Sequence, residues 1–219
     1  MPVSIDPAFS VYKLVNKLQN QNTILRHRQT MSEVSYEIEN STLVDEARTR
    51  VFAGFQRMSK FVPQIARYTE MAAQAESIYV FGVMDVELPS IPNITYVPLA
   101  PSDQLSKEWF LVSYGRDYAS ALATEEITHI DDPDQQRQFN GVWTFNLSLV
   151  SILEEWLTNT VDARTLGLTS ETMNHERRLK LIGRNLSRLI ARSQRTKPTI
   201  QAELDTTIKT EVEPPLKQK

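Results

Sequence analysis

Short runs of apolar and aromatic residues, separated by segments with helical spacing, constrain the fold of this chain more than any other feature. Such runs indicate β-strands, because β-branched and aromatic side chains pack well on a pleated surface. We expect five strands: RVFAGFQ (50–56), SIYVFGV (77–83), ITYVPL (94–99), WFLVSY (109–114) and GVWTF (141–145). In the third, Pro98 indicates an edge or a bulge, since proline cannot donate to a β-ladder.

The segments around these runs have apolar residues at helical spacing. In 10–20, Val11, Leu14, Val15 and Leu18 recur at i, i+3, i+4 and i+7. Thr30 and Glu33 form a capping-box pattern that predicts the start of a second helix. Further helices are predicted over about 58–75, over 118–127 with Asp117 as its cap, and over 147–161 with Asn146 as its cap.

The order of these elements predicts an α/β fold: a mixed β-sheet of about five strands layered with amphipathic helices. The closely spaced runs around 94–114 favour an antiparallel pair within the sheet. We expect one domain over 1–165, a basic amphipathic helix at 170–197 and a flexible tail at 198–219.

Charge is distributed unevenly along the chain. Residues 170–197 hold eight Lys or Arg and two Glu, whereas the whole chain carries a formal net charge of −3. The body is therefore acidic, and it could complement the basic segment within one chain or across a dimer. The chain as a whole is not a polycation, so we do not expect nucleic acid as a partner.

The basic helix also carries an apolar seam. Leu179, Ile182, Leu186 and Leu189 are spaced by three, four and three residues, and Ile190 widens the stripe. This spacing favours dimerisation or docking on a partner protein, with the flanking Arg177, Arg184 and Arg188 at its border. Two alternatives stay open: a structural adaptor without a ligand, and a nucleic-acid-associated regulator that acts through the arginines.

Signatures of catalysis and of metal binding are absent from the sequence. The chain has no cysteine, no glycine-rich phosphate loop, no H-E-x-x-H and no G-x-S-x-G. His129 lies near Asp131, Asp132 and Asp134, which favours a solvated acidic loop over a metal site. We therefore expect no enzyme, no metal and no identified cofactor. The missing cysteines, signal peptide and membrane span lead us to expect a cytoplasmic protein.

The aromatic residues of the predicted strands have two interpretations. They build the core, or some of them line a cavity for an unknown small molecule beside the sheet. In the second case glycines near strand ends would let a ligand approach the backbone, and Gln56 and Asp85 would supply polar contacts. The candidate ligand-binding residues are Phe52, Gly54, Phe55, Gln56, Phe81, Gly82, Asp85, Trp109 and Trp143.

Ordered segments over roughly 9–160 resemble the DICT sensory domain, which is named for its occurrence with diguanylate cyclases and two-component systems and is abundant in cyanobacteria. They are FSVYKLV (9–15), TMSEVSYEIE (30–39), VFAGFQR (51–57), 67–99, LSKEWFLVS (105–113) and FNGVWTFNLSLV (139–150). The resemblance implies a sensory input role in signal transduction. We see no cyclase, kinase, receiver or DNA-binding segment, so the output we expect is a partner protein or a homodimer.

Overall fold

Six strands form one mixed sheet in the computed structural model, which describes residues 5–19, 27–133 and 136–212. The strands are β1 (Arg50–Arg57), β2 (Ser77–Val83), β3 (Ile94–Pro98), β4 (Glu108–Gly115), β5 (Tyr118–Glu126) and β6 (Phe139–Thr144). Their spatial order is β3-β2-β1-β4-β5-β6; pairing is parallel between β3, β2 and β1 and antiparallel between β1, β4, β5 and β6. The predicted mixed α/β sheet is confirmed, with one strand more than expected. The antiparallel pair expected around 94–114 is wrong, because β3 pairs with β2 in parallel and β4 lies between β1 and β5.

Helices cover both faces of the sheet. They are α1 (Val11–Gln19), α2 (Arg28–Leu43), α3 (Met58–Phe61), α4 (Ile65–Ala72), α5 (Leu147–Thr160) and α6 (His175–Val212). One apolar cluster packs α1 and α5 on the first face, and another packs α2, α3, α4 and α6 on the second. Within the described residues, no helix is long and apolar enough to cross a membrane.

The prediction of a helix over 118–127 was wrong, because this segment is strand β5. Its alanines and glutamates favour helix, but the segment forms ladders with both β4 and β6. The side chains alternate as a strand requires: Ala119, Ala121 and Ala123 lie in one core cluster, Tyr118 and Leu122 in the other. Because the alanine side chains are small, α1 and α5 can pack closely on this face of β5.

Several element boundaries differ from those expected. Helix α2 begins at Arg28, with His27 as its N-cap, so Thr30 lies in the first turn and does not cap it. The predicted helix over 58–75 is divided by a 3₁₀ turn at Val62–Gln64, which contains Pro63. Asn146 caps α5 as predicted, since its Oδ1 accepts from the Leu149 amide at 3.1 Å. Helix α6 continues past Pro198.

A close approach explains the glycine inside β1. Gly54 lies opposite Phe110 of β4, and a Cβ built on Gly54 would overlap the Phe110 ring. Phe110 is fully buried in the α1/α5 core cluster. The space beside Gly54 is therefore filled by the Phe110 ring of the core.

Candidate ligand site and its connection to the C-terminal helix

A small cavity lies between α2, the α3–α4 segment, the carboxyl end of β1 and the start of β4. We call it the inner cavity, and its volume is about 90 Å³. The cavity lies at the carboxyl end of β1, which pairs with β2 in parallel. Ligands often bind at the carboxyl ends of parallel strands. The lining combines aromatic, cationic and hydroxyl side chains, among them Arg28, Ser32, Ser35, Tyr36, Phe55, Lys60, Tyr68, Trp109 and Arg137.

Three of the predicted ligand-binding residues, Phe55, Gln56 and Trp109, line the inner cavity. Phe52 and Phe81 are fully buried in the core on the opposite face of the sheet. This division follows from strand geometry, because successive side chains of a strand point to opposite faces.

The other candidates make contacts away from the cavity. Gly82 packs against Met58, and Asp85 accepts hydrogen bonds from the backbone and the hydroxyl of Ser59 at 2.8 and 2.6 Å. The Nε1 of Trp143 donates to Ser120 Oγ at 2.9 Å.

A buried polar network forms one wall of the inner cavity. Gln56 lies at a bulge of β1 with φ of 63°, a left-handed conformation that non-glycine residues rarely adopt. Its Nε2 donates to Glu126 Oε2 at 2.8 Å, and its Oε1 accepts from Arg137 Nη2 at 2.7 Å. Arg137 also donates to both carboxylate oxygens of Glu126 at 2.7 Å. Burial opposes ionisation of Glu126, but these hydrogen bonds outweigh it and lower its pKa.

An outer cleft of about 510 Å³ lies beyond this wall and shares Gln56 with the inner cavity. The acidic loop at its border is held by local contacts: Arg57 Nη1 lies 2.8 Å from Asp131 Oδ1, and the His129 amide donates to Asp132 at 2.9 Å. Asp134 lies outside the described residues. Among the residues that the structure describes, no group of three His, Asp or Glu could hold a metal ion.

The opposite wall contains a second buried acid. Glu39 pairs with Arg67 and accepts from the Tyr68 hydroxyl at 3.1 Å. Burial raises the pKa of Glu39, and the charge and hydrogen bond of Arg67 oppose this effect only in part. The guanidinium of Arg67 also lies 4.9 Å from the ring centroid of Tyr36. Helix α2 and helix α4 are thereby joined beside the cavity.

Ser35 of α2 lines the inner cavity and is buried, with 6% of the residue exposed. Its Oγ has no hydrogen-bond partner in the described part of the chain. Sequence reasoning missed Ser35, Arg28 and Lys60. The available signal was α2 itself, in which buried polar residues flank the apolar Ile38 and prevent a single apolar stripe.

Glu37 of α2 and Asp45, which follows α2, also hold α6 on the body. Glu37 is fully buried and pairs with Arg188 and with Arg192, whose Nη2 lies 2.9 Å from Glu37 Oε1. Asp45 pairs with Arg184 at 2.8 Å and with Arg188 at 2.9 Å. The acidic body thus complements the basic helix within one chain.

The predicted seam of α6 is divided between two surfaces. Ile182 and Leu189 are half-buried against the body, next to the fully buried Leu181 that sequence reasoning missed. Leu179, Leu186 and Ile190 are 65%, 42% and 56% exposed. We call these three residues the outer stripe. The division arises because the contact with the body passes through Leu181, Asn185 and Arg188, a row one position out of phase with the predicted seam.

A buried carboxylate also lies on the other face of the sheet. Glu108 accepts from the Ser10 hydroxyl and from the Tyr12 amide, the latter at 3.1 Å, beside the first turn of α1. Burial raises the pKa of Glu108 to about 7, against the effect of these hydrogen bonds.

Comparison with known proteins gives one match. Residues 8–126, more than half of the chain, match the family model DICT, described as a sensory domain in diguanylate cyclases and two-component systems. The matched range contains α1, α2 and strands β1–β5, and it ends before Arg137, α5 and α6. No similar protein was found among curated proteins or solved structures.

Proposed function

We propose that this chain, which belongs to the DICT family of sensory domains, is a non-enzymatic signalling protein whose inner cavity binds a small molecule. In this proposal, occupancy is relayed through α2 to α6, and α6 signals by pairing with a second copy of the chain. The observation that carries the proposal is that α2 borders both the cavity and α6.

The two sides of α2 have different contacts. Ser32, Ser35 and Glu39 line the inner cavity, whereas Glu37 and Ser41 contact α6. A helix moves as a rigid element over such a short distance. Because breaking a buried ion pair costs about 3–5 kcal/mol, a displacement of α2 is more easily followed by α6 than absorbed at the Glu37 contacts.

The outer stripe supports pairing with a second copy. Leu179, Leu186 and Ile190 are spaced by seven and four residues, with the exposed Gly183 between the first two, as in a coiled-coil heptad. An identical stripe on a second chain is self-complementary about a two-fold axis. Arg177, Arg184 and Arg188, which the sequence places at the border of the seam, hold α6 on the body in this proposal.

Light scattering of the full-length protein tests this output. We expect the wild type to form a dimer whose fraction rises with protein concentration, and Leu186→Glu and Ile190→Glu to stay monomeric, because each places a charge in the outer stripe. The matched control is Ile152→Glu, which adds a charge at an exposed apolar position of α5. Equal masses for the wild type and all three variants would contradict dimerisation through α6.

Two other functions stay open. A structural adaptor without a ligand would use the same surfaces, and partner binding sensitive to salt but not to any small molecule would favour it. A nucleic-acid role is less well supported, because Arg184, Arg188 and Arg192 pair with acids of the body. The cytoplasmic location stays a prediction.

A further inference from the structure

We propose that the inner cavity binds a small oxyanion, that is, a carboxylate or phosphate group on a compact molecule. This inference rests on the proposed function and names the chemical class of its ligand. Three independent features of the cavity support it: the charge of its lining, an unsatisfied buried hydroxyl and its size.

The lining has an excess of positive charge. Its charged members are the cationic Arg28, Lys60 and Arg137 and the acidic Glu39. Glu39 is paired with Arg67, and Arg137 is paired with Glu126, so these two pairs add little net charge. An anion in the cavity would also lie beside Arg28 and Lys60, and hydrogen bonds between ionised groups are about twice as strong as neutral ones.

The cationic side chain of Arg137 is held in place before any ligand arrives. Its Nη2 donates to Gln56 Oε1 at 2.7 Å, and its Nε and Nη2 donate to the Glu126 carboxylate. The side chains of Arg137 and Glu126 are almost entirely buried. A cation fixed in this way loses little conformational freedom when a ligand binds.

A second feature of the cavity is a buried hydroxyl on α2. Arg28, Ser32 and Ser35 lie at i, i+4 and i+7 of this helix and line the cavity. The buried Oγ of Ser35, which has no partner among the described residues, gives independent support, since it could donate a hydrogen bond to a ligand oxygen. A buried hydroxyl without a hydrogen-bond partner lowers the stability of the folded protein, and such groups are rare in protein structures.

The size of the cavity is suited to a compact ligand. A volume of about 90 Å³ is enough for inorganic phosphate or a short carboxylic acid. Tyr36, Phe55, Tyr68 and Trp109 provide apolar walls for the remainder of such a molecule. Trp109 also gives the site a fluorescence signal.

Titration calorimetry of the full-length protein tests the inference with two sets of probes. One is inorganic phosphate; the other is a set of short carboxylates, namely acetate, pyruvate and succinate, with sodium chloride at equal ionic strength as the control. We expect saturable binding of phosphate or of at least one carboxylate, with a change in Trp109 fluorescence that Trp109→Phe removes. Comparison of the two sets distinguishes phosphate from carboxylate ligands.

Cavity variants identify where the probe binds. We expect Lys60→Gln to raise the Kd about tenfold or more, the loss of one charge-assisted contact. Ser35→Ala should also raise the Kd but should not lower the melting temperature of the unliganded protein, because its hydroxyl has no partner to lose among the described residues. The matched control is Lys13→Gln, at an exposed position of α1 on the opposite face, and it should bind as the wild type does.

The inference is overturned if phosphate and every carboxylate fail to bind, or if Lys60→Gln and Ser35→Ala bind as tightly as the wild type. Its failure is distinguishable from failure of the proposed output. Binding without any effect on dimerisation would leave the oxyanion site standing and remove the relay to α6. Dimerisation that depends on Leu186, without oxyanion binding, would leave pairing through α6 standing and overturn the oxyanion site.

Discussion

The buried side chain of Asn185 on α6 accepts a hydrogen bond from the hydroxyl of Tyr118 on β5, at an oxygen–oxygen distance of 2.6 Å. The Nδ2 of Asn185 donates to the carbonyl of Glu37 at 2.9 Å and to Ser41 Oγ at 3.1 Å. One amide thus joins α6, α2 and the sheet. Its polar atoms match these partners only when α6 lies at one position along α2, so Asn185 fixes the register of α6.

We expect Asn185→Ala to destabilise the protein by about 2–4 kcal/mol, because it leaves the Tyr118 hydroxyl and the Glu37 carbonyl buried without this partner. Urea unfolding followed by circular dichroism measures the change. The control is Asn159→Ala, at an exposed position of α5. A loss below about 0.5 kcal/mol would be typical of a surface substitution and would mean that Asn185 does not hold α6.

Two glycines should respond to alanine in opposite directions. Gly54→Ala places a Cβ against the Phe110 ring, and overpacking of this kind costs about 1–3 kcal/mol. Gly183→Ala meets no atom within 4 Å and lies on the exposed side of α6, where alanine favours helix by up to about 1 kcal/mol. Thermal unfolding of both variants measures the difference. Equal shifts of the melting temperature would show that the Phe110 ring yields to a Cβ at Gly54.

Glu108 should make the stability of the protein depend on pH. Its pKa is about 7 in the folded protein and near 4.5 when unfolded, so its stabilising contribution is complete below about pH 4.5 and is lost as the pH rises through 7. Glu108→Gln removes this loss and can still bond to Ser10 and Tyr12. Between pH 5 and pH 8 we expect the free energy of unfolding of the variant, relative to that of the wild type, to increase by on the order of 3 kcal/mol.

Urea unfolding at a series of pH values measures the effect of Glu108. The exposed Glu87→Gln is the control for the loss of one acidic side chain. Parallel pH profiles for the wild type and Glu108→Gln would mean that Glu108 is ionised in the folded protein throughout this range.

The relay through α2 predicts an effect of the Glu37 contacts. Glu37→Gln keeps the shape of the side chain but removes the charge that faces Arg188 and Arg192. Arg188 keeps its pair with Asp45, and both arginines are partly exposed, so the cost is that of weaker hydrogen bonds to charged groups. We expect a loss of about 1.5–3 kcal/mol in the free energy of unfolding. The substitution should also increase the rate of amide hydrogen exchange more in α6 than in α5. Equal changes in the two helices would indicate general destabilisation and not release of α6.

Sequence patterns predicted the sheet better than the site. The run RVFAGFQ is strand β1, in which Val51 and Ala53 lie on one face and Phe52 on the other, as the period of two residues in a strand requires. In β5 the alanines led to the wrong prediction of a helix, because helix propensity is a weak preference that pairing with β4 and β6 overrides.

The inner cavity and the register of α6 were harder to predict. Ser35 and Asn185 are polar residues on helices, and no spacing rule distinguishes a buried polar residue from an exposed one. The partners of Asn185 lie 67 and 148 residues away in the chain. The sequence shows the apolar seam of α6, but it does not show which side of the helix faces the body. That orientation depends on ion pairs from Arg188 to Glu37 and Asp45, which are distant in the sequence.

Native mass spectrometry of the full-length protein, during titration with whichever oxyanion binds most tightly, tests the central claim most directly. The account predicts that the ratio of monomer to dimer shifts as the cavity fills, and that Leu186→Glu abolishes the shift without abolishing binding. A ratio that stays constant from the empty to the fully occupied protein would contradict the account.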